Sequence, residues 1–194
     1  MAAENFQKPP VWLGIEALGL RAFLLLAAGV VIAAVLFWHV YETLHYRKLI
    51  PADIGLTFNF ATRGSDVSLW GALFMFDRKA CGGAIFDMSG STADAIRKQG
   101  LNFFKDARQG RGYTEKGDRS FIDYSYQSWR ATPLSPEWTA LGPWPGLNCM
   151  GLRAGTMQNI LNAAQKPGSF YATGQSKMLL VDPNRQFVLV TYMH

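Results

Sequence analysis

Histidine is scarce in this chain of 194 residues, and its three copies are poorly placed for chemistry. His39 and His45 flank the end of a long apolar run and His194 stands last, so the stretch between them carries no imidazole. Ser-His-Asp and Cys-His catalysis need one, as do histidine-based zinc and iron sites. Cysteine is rarer still. Cys81 and Cys149 form neither a zinc knuckle nor the CxxCH of c-type haem. No serine is followed three residues later by lysine, which removes the Ser-Lys acylase pattern. The sequence therefore leads us to expect no catalytic, cofactor-binding or metal-binding residue, and no small-molecule substrate.

Charge is the other shortage. Only 17% of the residues are charged, against about 25% in an ordinary soluble domain. Disorder is excluded by 49% hydrophobic and 13% aromatic content. The missing charge is localised: Ala22 to Trp38 reads AFLLLAAGVVIAAVLFW, without an ionisable group. Extended to Tyr41 and coiled as a helix, this run covers about 30 Å, the thickness of a hydrocarbon core. A helix is the one single-segment structure that satisfies its own backbone there. Trp38 and Tyr41 at one end and Trp12 before the other fit interfacial anchors.

The sequence HVYETLHYRK after Trp38 contains no small-x-small cleavage pattern, so the segment reads as an uncleaved anchor. Lys8 and Arg21 on one side balance Arg47 and Lys48 on the other. A long C-terminal domain crosses regardless of charge. The expectation is an inner (plasma) membrane protein with its domain outside the cytoplasm, in the periplasm. A Cys81–Cys149 disulfide suits that compartment and would close a loop of about 70 residues, worth about 4 kcal/mol in chain entropy. The expected organisation is a short segment 1–21, a transmembrane helix 22–41, a helix extension or linker 42–53 ended by Pro51, and one domain 54–194.

Within that domain the pattern predicts an α+β fold, a mainly antiparallel sheet with two packed helices. Ile54–Ala61 and Ala84–Met88 read as strands, and Val67–Phe76 is ambiguous. Ser91 with Asp94 forms a capping box ahead of a helix over 92–108. Residues 120–130 alternate like a strand with one wet face, and 156–165 repeat like a second helix. Phe170–Val181, a turn at 182–185 and Gln186–Met193 make a hairpin. Its runs MLLV and FVLV, apolar on both faces, belong at the centre of a sheet. Four prolines between 132 and 146 leave an aromatic loop, ordered or partner-facing, around Trp138 and Trp144.

Three chemical patterns are weighed and set aside. Gly110-Arg111-Gly112 with Gly117 fails the spacing of a dinucleotide fingerprint and follows a helix. Cys81 beside Arg78 and Lys79 reads as a disulfide half before it reads as an activated thiolate. Asp118 and Asp123 have no aligned third group. The cations Lys105, Arg108, Arg111, Lys116 and Arg119 are interleaved with acids, so they point to a solvated turn and not to nucleic acid. Glu16 and Arg21, two charges in the apolar stretch VWLGIEALGLR, mark either a snorkelling arginine or a face that packs on another subunit.

The reading that follows is a non-catalytic single-pass membrane subunit of a multiprotein envelope assembly. A secretion, conjugation or pilus machine and an energy-transducing complex are the examples. Its partners are the other membrane subunits and the bilayer, with Trp138, Trp144, Arg21 and Glu16 as interface candidates. A type IV pilin-like filament subunit is the alternative, and a membrane-anchored extracytoplasmic enzyme using carboxylates or a cysteine is the second.

Overall fold

The computed structural model describes residues 12–57, 62–65, 81–113, 124–135 and 144–193. The chain divides into two compact units, Met1–Glu42 and Thr43–His194. Helix α1 (Trp12–Leu49) fills the described part of the first and ends in the second. Between Arg21 and Leu49 it is long and apolar enough to cross a membrane; its most apolar window of 18 residues has a mean hydropathy of 2.5, and none of that window is buried. Phe23, Leu25 and Phe37 are among its exposed side chains. This stretch lacks the polar face of a surface helix and is a candidate membrane span.

Among the described residues the second unit is built on a six-stranded sheet. Its strands are β1 (Thr62–Ser65), β2 (Cys81–Asp87), β3 (Arg130–Ala131), β4 (Phe170–Gly174), β5 (Lys177–Asp182) and β6 (Phe187–Met193). They lie in the order β1-β2-β6-β5-β4-β3, and every pair is antiparallel. Helix α2 (Gly90–Gln99) leads into a 3-10 turn at Gly100–Phe104. The short α3 (Pro145–Asn148) precedes α4 (Ala154–Gln165).

Period-two geometry explains why β5 and β6 are apolar throughout. Leu179, Val181, Val188 and Val190 point to one face, where they meet Ala93 and Ile96 of α2, Phe104, and Tyr46, Leu49 and Ile50 at the end of α1. Met178, Leu180, Phe187 and Leu189 point to the other, under Trp144, Leu147 and the Ile160, Ala163 and Ala164 face of α4. Both faces are covered, so alternation disappears from the sequence. The α+β expectation holds, with helices on both faces of the sheet.

Several boundaries differ from the sequence reading. The run 170–181 is two strands: the chain reverses at Gly174–Lys177, with Ser176 at φ 58°. Ser89, not Ser91, caps α2, its hydroxyl accepting from the Thr92 amide at 3.4 Å. That helix stops at Gln99 because Gly100 takes φ 56°. In 54–61, Leu56 makes a single bridge to Met88, and 58–61 lie outside the described residues. In 120–130, Ser125 bridges to Gln109 and only Arg130 joins a strand, while 120–123 lie outside. Val67–Phe76 is outside as well.

Candidate functional site at the foot of the apolar helix

A helix ends with four carbonyls that lack intrahelical donors, and burying them unsatisfied is expensive. The end of α1 is buried. Tyr46, Leu49, Ile50 and Ile54 are all core residues of the second unit. Its carbonyls are met from elsewhere in the unit. The Gly112 amide donates to Lys48 O at 2.9 Å and the Arg111 amide to Ile50 O at 3.0 Å. The Tyr126 hydroxyl donates to Leu49 O at 2.9 Å.

Arg111 does the most. Its guanidinium donates to Ile50 O at 3.1 Å, Ala52 O at 3.4 Å and Ile54 O at 2.6 Å. A cation at a helix C-terminus also complements the macrodipole. Desolvation lowers the Arg111 pKa, and the positive Arg47 lowers it further while Asp53 opposes both. Burial pushes the Tyr126 phenol above the ordinary tyrosine range.

The glycines of Gly110-Arg111-Gly112 have a packing explanation. A Cβ on Gly110 would lie 2.6 Å from Lys48 O and 2.7 Å from Leu49 O. One on Gly112 would lie 2.5 Å from the Tyr124 ring. The strap can therefore touch the helix end only where it carries no side chain, and the arginine between the glycines reaches the carbonyls. Behind it, Trp129 donates to Ala107 O at 2.6 Å and stacks on Phe104 at 4.2 Å.

On the opposite face the structure brings Cys81 and Cys149 together as a disulfide, with Cα atoms 5.7 Å apart. The Cys81 sulfur is thus committed to a partner, not free as a thiolate. Nearby, a Cβ on Gly83 would sit 2.4 Å from Val190 O and 2.9 Å from the Met150 sulfur, so the glycine lets β2 lie against both. Trp144 corrects an expectation. It is 3% exposed, and its indole N–H donates to Thr191 Oγ1 at 2.9 Å, so it belongs to the core and offers no face to a partner. A cleft of about 150 Å³ opens beside it toward Met178 and Met193.

The remaining candidates fall as follows. Arg21 is exposed on α1 and Glu16 lies on the same helix. Trp138, Asp118, Asp123, Lys116 and Arg119 lie outside the described residues. Lys105 and Arg108 are exposed, whereas Arg111 is spent on the helix end. Among the described residues no group of His, Cys, Asp or Glu gathers to hold a metal ion. The chain matches no known family, no curated protein and no solved structure. Function must therefore be argued from the geometry. Arg111 and Tyr126, the residues that hold the foot, were missed as such in the sequence; the one local signal was the pair of glycines around Arg111.

Proposed function

We propose that this chain is a non-catalytic, single-pass subunit of a multiprotein complex of the cell envelope, with its α+β domain on the extracytoplasmic side of the inner membrane. The observation that carries the reading is α1: its apolar window has no burial within the chain, so its partners are lipid and other subunits. The Cys81–Cys149 disulfide supports an oxidising compartment for the domain. Arg21, exposed at the edge of the apolar run, supports contact with a neighbour or with headgroups.

The test is purification from the native membrane in mild detergent, followed by particle mass and subunit identification. Stoichiometric company supports the reading, and Trp138→Ala is then expected to weaken the complex while the chain stays folded. Recovery as a monomer or simple homo-oligomer overturns it.

A further inference from the structure

The basic residues of the foot suggest a second role, which rests on the reading of α1 as a membrane anchor. Trp38 and Tyr41, with ring centroids 6.1 Å apart, form an aromatic pair of the kind that sits at headgroup level. Arg47 and Lys48 follow on the same helix, about 9 and 10.5 Å beyond Tyr41 at 1.5 Å per residue. The headgroup layer is about 5–7 Å deep on each side, and helical side chains lean toward the N-terminus, here back toward the bilayer. Lysine and arginine stems are long enough to close the remaining distance.

The Gly110–Gly112 strap brings a further cation to the end of α1. The Gly112 amide donates to Lys48 O at 2.9 Å, and the Arg111 guanidinium, held on the carbonyls of Ile50, Ala52 and Ile54, feels the positive charge of Arg47 and the negative charge of Asp53. Lys48 is exposed and Arg47 half-exposed; among the described residues neither makes an ion pair. Exposed cations at a membrane boundary attract the anionic headgroups that lie there. We propose that Arg47 and Lys48 form a binding surface for the phosphate of anionic phospholipid headgroups where the chain leaves the bilayer.

The test uses the full chain in neutral detergent, offered equal phosphatidylglycerol and phosphatidylcholine of the same acyl chains, with the retained lipid quantified after gel filtration. Retained lipid is expected to be enriched in phosphatidylglycerol. Lys48→Gln should lower the enrichment about fivefold, and Arg47→Gln with Lys48→Gln about 25-fold, at about fivefold per surface cation. Arg153→Gln, an exposed cation on the far helix, should leave it unchanged. Should the double variant misfold, Lys48→Gln alone carries the test, because that side chain is in solvent. Equal retention of the two lipids, or enrichment indifferent to Lys48, overturns the proposal and leaves an acidic protein partner as the occupant. Alkaline carbonate extraction of native membranes separates the two readings: a released chain removes the anchor and this surface together. A retained chain without lipid preference removes only the surface.

Discussion

The hydroxyl of Tyr126 donates a hydrogen bond to the carbonyl of Leu49, 77 residues away in sequence, inside the domain's core. Leu49 is the last residue of α1, and Tyr126 also faces the ammonium of Lys177 on β5, 5.3 Å from its ring centre. One phenol thus links the helix end, the strap side and a central strand. Burial raises its pKa above the unfolded value of about 10, so its contribution is intact below that pH and is lost as pH rises past it. Stability of the full chain should fall by about 1.4 kcal/mol per pH unit above pH 10, from this group alone. Tyr126→Phe should remove that slope while lowering stability at pH 7 by about 1 kcal/mol. Melting followed by near-ultraviolet circular dichroism across pH 8–11 checks both, and an unchanged slope in the variant refutes the assignment.

Arg111→Ala strips donors from the carbonyls of Ile50, Ala52 and Ile54 and should destabilise the domain by about 2–3 kcal/mol. Arg111→Lys should recover little, because an ammonium is a point charge and cannot span three acceptors as a planar fork does. Thermal denaturation of the three proteins decides this; equal midpoints for wild type and the lysine variant would contradict it.

Gly110→Ala forces a methyl against backbone oxygens that cannot swing aside, and should cost about 3 kcal/mol. Gly155→Ala on α4 meets open space and should be neutral or stabilising by up to about 1 kcal/mol. The pair distinguishes close approach from mere loss of flexibility. Similar effects at both positions would show that the strap does not touch the helix as described.

Trp144→Ala opens a cavity under the sheet and should destabilise by about 3–5 kcal/mol, whereas Trp144→Phe keeps most of the packing and loses the bond to Thr191. Equilibrium denaturation measures the difference. Wild-type stability in the alanine variant would return Trp144 to the surface.

Replacing Cys81 and Cys149 by serine should lower stability by about 4 kcal/mol, since the bridge spans 68 residues of sequence. A reducing agent added to the wild-type chain should produce the same shift in melting temperature, and no shift in either case would mean that the bridge does not restrain the unfolded chain.

What could be read from the sequence was what is local or periodic. The apolar run of α1, the 154–165 helix and the doubly apolar strands β5 and β6 all carry their burial in their spacing. Choices between near-equal local solutions were harder: Ser89 and Ser91 both suit an N-cap, and only the fold selects Ser89. The break at Gly174–Lys177 was hidden because apolar residues resume immediately after it. Least legible were partnerships across long separations. Nothing near Arg111 announces that its acceptors are Ile50 and Ile54, and Trp144 in a proline-rich stretch looks the same whether it faces a partner or Thr191.

The order of the strands has a consequence for how the domain comes into being. β6 lies between β2 and β5, so Ile85 faces Leu189 on one side and Leu180 faces it on the other. Until Phe187–Met193 has been synthesised and delivered, the two halves of the sheet share no seam. A nascent chain still held at the ribosome can form α1 and its hairpin pieces, but the sheet stays open until β6 arrives and zips the halves together.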